Sequence, residues 1–263
     1  IPITSTGELD MNYFKKELNE KTKLVALTHI SNSLGTINPI EKIIELTHQT
    51  DAKILIDGAQ AAAHVNVDVQ KLDVDFYCFS AHKLYGPTGV GVLYGKEEIL
   101  NMLPPYQGGG EMIKDVSMHK TTYAGIPHKL EAGTPNIAGV IAFKKAIKFI
   151  KDIGVENMKA HEDSLLKYAT LKLKKIPGLS IIGTAAEKSG IISFIISDIH
   201  HYDLGLILDK LGVAIRTGHH CTQPVMKKMN ISGTSRISFA CYNTKKEVDY
   251  TVDCIKKAIK MLS

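Results

Sequence analysis

Apolar and polar positions along the chain fall into two alternating patterns. Short apolar runs occur at "LVALTHI" (24–30), "KILIDGAQ" (53–60), "VDFYCFSAHK" (74–83) and "GVGVLYG" (89–95), each with the length of a buried strand. Between the first two lies "INPIEKIIELTHQTDA", whose apolar residues recur at helical spacing, with Pro39 near its start. Strands separated by helical stretches predict βαβ units, hence an α/β class with a mainly parallel sheet and helices on both faces. Gly/Pro-rich passages at 103–113 and 131–139 interrupt the pattern. Helical spacing then resumes from about Val140 to Lys159, with a break at Gly154. Beyond it, "LSIIG", "GIISFIIS", "YDLGLILDKLGVAIRTG" and "SRISFACYN" precede a final amphipathic stretch, "KKEVDYTVDCIKKAIKML". They predict a smaller C-terminal α+β domain. The boundary is placed near residue 145, which gives domains of 1–145 and 146–263.

Ligands of parallel sheets bind beyond the carboxyl ends of the strands. Asn32, Asp57, Gln60, Ser80, His82 and Lys83 all fall just after predicted strand ends, so the polar chemistry gathers on one edge. An acid and a lysine there suit pyridoxal phosphate, with the lysine bonded to the aldehyde and the acid paired with the pyridinium nitrogen. Ser80 and His82 could donate to the phosphate. The plain alternative is a salt bridge or two solvated loop residues, which would suffice for Asp57 or Lys83 taken singly.

Composition narrows the remaining choices. A chain of 263 residues with 44% apolar and 22% charged residues is ordinary for a globular protein. The net charge of +5 comes from scattered lysines, with no basic stripe or nucleic-acid motif, so no nucleic-acid partner is expected. No apolar run approaches the roughly 18 residues of a membrane-spanning helix, and no membrane role is expected. Four cysteines, at 78, 221, 241 and 254, form no CxxC pair, which suits a reducing compartment, the cytoplasm or an organelle. Cys78, Cys241 and Cys254 sit in strand- or helix-like patterns and are expected to pack. Cys221, in "RTGHHCTQP", has polar, basic and glycine neighbours and is the reactive candidate. A zinc site of His219, His220 and Cys221 is disfavoured, because adjacent residues rarely converge on one metal; no metal is expected. Arg216, His219 and His220 remain candidates for activating the thiol, and for each histidine loop packing is the competing role.

Six segments, "ILIDGAQAAAH", "FSAHKLYGPTGVGVLYG", "PPYQGGGEMI", "EAGTPNIAG", "RTGHHCTQP" and "ACYNTKKEVD", together resemble the Suf-type (group II) cysteine desulfurases. These are class V aminotransferase relatives among the fold-type I pyridoxal-phosphate enzymes. The resemblance covers nearly the whole chain in the family's order, and "RTGHHC" selects the desulfurase branch with its related selenocysteine lyases. It implies that Lys83 carries the cofactor, Asp57 pairs with the pyridinium, and Gln60 bonds the phenolic oxygen. It places Asn32 near ring and substrate, and Ser80 and His82 on the phosphate. It assigns Thr134 to the phosphate of the other subunit of a homodimer, and Arg236 to the substrate carboxylate. Without the resemblance Arg236 would read as a surface arginine beside a strand.

The activity so implied converts L-cysteine to L-alanine, with sulfur passing to Cys221 as a persulfide. From there it would go to an acceptor protein of the SufE or SufU kind for iron–sulfur cluster assembly. The alternatives are a selenocysteine lyase, transamination on the same fold (which needs no cysteine) and an inactive scaffold. Relative to the family, the amino-terminal portion of the large domain has no counterpart, so the chain is expected to be a piece of a longer protein.

Overall fold

A computed structural model describes residues 1–262. The first unit runs α1 (Met11–Glu17), β1 (Leu24–Thr28), α2 (Ile40–Thr47), β2 (Lys53–Asp57), α3 (Val69–Leu72), β3 (Phe76–Ser80), β4 (Gly91–Gly95) and α4 (Glu97–Met102). Its sheet has the order β1-β2-β3-β4. The first three strands are parallel, and β4 closes the edge antiparallel to β3. The four runs marked in the sequence are these strands.

Side chains alternate across the sheet. Val25, Ile54, Ile56 and Tyr77 join Phe14 of α1 and Ile40, Ile43 and Ile44 of α2 in one buried cluster. On the opposite face, Leu100 of α4 lies against Gly95 and Phe76 at one end, while Leu24 and Leu93 remain 53% and 52% exposed. A hairpin of β5 (Ile113–Val116) and β6 (Thr121–Tyr123) follows. Its exposed strands gave no alternating signal.

α5 (Ile137–Ile153) passes unbroken through residue 145. Gly154, at φ 87°, then turns the chain into α6 (Val155–Leu173). Phe143, Ala146 and Ile150 of α5 pack with Ala63, Ala81 and Leu84 of the first unit. From Leu165 onward α6 belongs to a second core instead. That core is built on β7 (Leu179–Ile182), β8 (Ile191–Ile196), α7 (His201–Lys210), β9 (Arg216–Gly218), α8 (Gln223–Lys228), β10 (Thr234–Ser238) and α9 (Lys245–Leu262). Its antiparallel sheet, β7-β8-β10-β9, is the α+β unit expected from the sequence. Ile192, Phe194, Leu204, Leu208, Val252 and Ile255 fill the space between that sheet and its helices.

Candidate active site

Parallel register places Thr28 beside Asp57, and Asp57 beside Cys78, so β1 and β2 end level and β3 runs two residues further, to Ser80. Past those ends lie Asn32, Gln60, and the 3-10 turn Ala81–Lys83 that carries His82 and Lys83. Asp57 Oδ1 accepts the Ala59 N–H at 2.8 Å, an Asx-type turn that bends the chain back and fixes the carboxylate. Gly58 is required there: a Cβ would fall inside the Tyr77 ring. The Tyr77 hydroxyl in turn meets His29 Nδ1 at 3.0 Å, and the His29 N–H donates to Asp57 O at 2.9 Å. Burial lowers the His29 pKa to about 4, and burial together with the Asp57 charge pushes the Tyr77 hydroxyl up. Both supports are therefore neutral at physiological pH. Neither carried a sequence signal, since a histidine in an apolar strand reads as core.

The loop bearing His219, His220 and Cys221 follows β9. His220 and Cys221 are both left-handed, at φ 54° and 60°, so the backbone doubles back and leaves Cys221 exposed at the bend. Left-handed conformations disfavour non-glycine residues by about 1–2 kcal/mol each, so something must hold this one. His220 does so. It is 2% exposed, its Nε2 meets Thr234 Oγ1 at 2.8 Å, and its carbonyl accepts from Asn32 Nδ2 at 2.7 Å. Burial first, then the Arg236 and Arg216 charges, lower its pKa to about 4. The imidazole is buried and engaged by Thr234 through Nε2, while its Nδ1 has no partner. His219 is exposed and lies 3.4 Å from Gln223 Nε2 through its Nδ1. Arg216 Nη2 stands 3.7 Å from Cys221 Sγ and gives the sulfur a charged donor. The His-His-Cys side chains thus occupy separate surroundings, and among the described residues no group of three or more His, Cys, Asp or Glu could hold a metal ion.

Arg236, on β10, reaches across the two units. Its Nη1 donates to Asn32 O at 2.6 Å, while its buried Nε has no partner. Asn32 therefore touches both the Cys221 loop and the arginine. Among the described residues neither Asp57 nor Lys83 enters an ion pair, although ten such pairs form elsewhere. An unpaired acid and amine at one edge, hydroxyl and imidazole donors beside them and a spare guanidinium N–H fit a phosphate-bearing pyridine aldehyde with an amino-acid carboxylate. Thr134 is exposed in the loop before α5.

A conserved-family signature, Aminotransferase class-V, spans residues 1–251. The chain belongs to the class-V aminotransferase family. Within it, a cysteine desulfurase of Dickeya dadantii (strain 3937) is 46% identical over 263 residues, covering 100% of this chain and 64% of that protein. A probable cysteine desulfurase 1 of Mycobacterium leprae (strain TN) is 45% identical, covering 97% of this chain and 42% of that protein. The crystal structure of the Escherichia coli cysteine desulfurase CsdA (S-sulfonic acid) superposes with a TM-score of 0.96 at 38% identity, covering 100% of this chain and 65% of that one. The chain thus spans under two-thirds of the length of these class-V relatives. The fold is the fold-type I arrangement anticipated from the sequence.

Proposed function

We propose that this chain carries most of the active site of a pyridoxal-phosphate-dependent cysteine desulfurase. Lys83 would hold the cofactor, Asp57 would pair with its ring nitrogen, and Gln60, Ser80 and His82 would bind its oxygens. Thr134, exposed in the loop before α5, serves the phosphate of a second subunit. A homodimer is supported by exposed apolar side chains in and around the β5–β6 hairpin, among them Tyr106 and Met118 at 88% and 94%. When bound, pyridoxal phosphate supplies an electron sink that lets the bond between Cα and its hydrogen break.

The chain's own residues do the rest. Arg236 offers Nε and the rest of its fork to the substrate carboxylate, a charge-assisted contact of about 1.5–3 kcal/mol. Asn32 keeps that fork in place. The Lys83 amine takes the α-proton. Cys221 Sγ forms a bond to the substrate sulfur as the C–S bond breaks, leaving a persulfide on Cys221 and, after protonation, alanine. The net change is L-cysteine plus one Cys221 thiol giving L-alanine plus one persulfide. Exposure of Cys221 supports transfer onward to a thiol on an acceptor protein of the SufE or SufU kind, for iron–sulfur cluster assembly. All four cysteines are free thiols, which agrees with a reducing cytoplasm.

One observation carries this reading: Arg236 and the Cys221 loop are joined through Asn32 beside the Asp57–Lys83 edge. The test uses the full-length protein loaded with cofactor and given L-cysteine. Wild type is expected to release alanine and to gain one sulfur atom on Cys221 by mass spectrometry. Cys221→Ala should keep the cofactor's visible absorption yet release no alanine, and Lys83→Ala should lose that absorption. Undiminished turnover in Cys221→Ala would sink the assignment.

A further inference from the structure

Three successive carbonyls of the loop after β1 are each taken by a side chain of the α+β unit. Asn32 O accepts from Arg236, Ser33 O from Ser193 Oγ, and Leu34 O from Lys188 Nζ at 2.6 Å. Lys188 also donates to Gly183 O, so one ammonium joins the two units. Around it the backbones are stitched further: Ile37 N donates to Glu187 O at 3.0 Å and Ser189 N to Gly35 O at 2.8 Å. The Leu34 side chain, 1% exposed, sits against Gly7 and Gly183, both left-handed at φ 87° and 79°. Leu34 is thereby fixed from its side chain and from its carbonyl. Two residues earlier, Asn32 makes its contacts to Arg236 and to His220.

Among the described residues Lys188 meets no carboxylate, and its burial lowers the ammonium pKa to about 8. An interdomain cation without a counter-ion is a costly way to build a surface loop. It is an effective way to hold peptide carbonyls, because a lysine offers three donors and no acceptor. Ser193 and Arg236 lie opposite each other in the β8–β10 register, so their two anchors move as one. Lys188 comes from outside that pair, just before β8, and is the independent third point.

We propose that Lys188 is a positioning residue for the candidate site: by holding Leu34 and Gly183 together it sets where Asn32 stands, and so aligns Arg236 and the Cys221 loop with the Asp57–Lys83 edge. This rests on the desulfurase reading for its kinetic consequence, although its structural consequence is independent of that reading. Loss of Lys188 would leave β8 and β10 intact and let the 32–34 segment drift. The first contacts to weaken would be those of Asn32, at a distance from the substitution.

The test compares the full-length, cofactor-loaded wild type with Lys188→Met by hydrogen exchange and by steady-state kinetics. In Lys188→Met, peptides covering 31–36 and 219–222 should exchange at least fivefold faster, while peptides covering β8 and α9 stay as in wild type. With L-cysteine, KM should rise about tenfold while kcat changes less than threefold, since a carboxylate contact made equally in ground and transition states appears in KM. Lys188→Arg, which restores a cationic donor, should recover most of both effects. Should Lys188→Met not accumulate as folded protein, Lys188→Gln replaces it, with smaller changes of the same pattern. Unchanged exchange at 219–222, or a uniform rise across the chain, overturns the proposal. If wild type releases no alanine, the desulfurase reading fails, and the exchange pattern alone decides the role of Lys188.

Discussion

Asn32 and His220 are 188 residues apart in the chain, yet the side-chain amide of the first donates to the carbonyl of the second at 2.7 Å. This bond ties the sheet edge bearing Asp57 to the loop bearing Cys221. The same asparagine lends its own carbonyl to Arg236. One residue thereby sets the spacing of three groups that the proposed reaction needs together.

Replacing Asn32 with alanine removes the donor and leaves the His220 carbonyl without it. A cost of about 1–2 kcal/mol is expected in urea denaturation, typical of a lost partly buried hydrogen bond. Alkylation of Cys221 by iodoacetamide should also change rate, because the loop is no longer held at its bend. Asn32→Asp should be worse than alanine, since it points an acceptor at an acceptor.

Gly58→Ala tests the turn under Asp57. The added methyl would overlap the Tyr77 ring, which is buried and pinned by His29. Overpacking of this kind costs about 1–3 kcal/mol. The expected result is lower thermal stability together with weaker cofactor retention on dialysis, because the carboxylate moves with the turn. Gly108→Ala, where a Cβ meets nothing within 4 Å, should change neither and serves as the control.

Two buried imidazoles give the protein an acid limit. His29 and His220 have folded pKa values lowered to about 4 by burial. An unfolded histidine titrates near 6.5, so between these values the unfolded chain binds more protons than the folded one. Their contribution is complete above about pH 6.5, declines as pH falls, and stops declining below about pH 4. Each group accounts for on the order of 3 kcal/mol over that window. Urea denaturation from pH 7.5 to 4 should show this loss, and His220→Gln should flatten part of the slope.

His64→Ala should be strongly destabilising for a different reason. His64, one turn past Gln60, meets Glu162 of α6 at 2.6 Å, and Glu162 is 2% exposed. Removing the imidazole strands a buried carboxylate whose other oxygen already lacks a partner. Breaking such a pair costs about 3–5 kcal/mol. His64→Ala combined with Glu162→Gln should recover a substantial part of the loss in denaturant titrations, which a simple cavity effect would not.

What was legible in the sequence were the local features. Asp57, Ser80, His82 and Lys83 each interrupt an apolar run, and the end of a run is the end of a strand. Cys221 stood out because its neighbours are polar and basic where those of Cys78 are apolar. Arg236 was another matter. It sits in an alternating strand, and only the fold reveals that it spans to Asn32 across 204 residues. His29, Ser193 and Lys188 left no trace for the same reason: their partners are carbonyls or residues far along the chain, and carbonyls have no sequence. The β5–β6 hairpin escaped notice because both strands are largely exposed, so no hydrophobic alternation was needed to form it.

The left-handed backbone at Cys221 sets stability against chemistry at a single position. Glycine would relax there, and Cys221→Gly is expected to yield a sturdier, chemically silent protein. Selection for folding alone would therefore drain the thiol from this loop. On the proposed function, the loop keeps its thiol at the expense of backbone comfort, so strain and sulfur transfer are set at one residue.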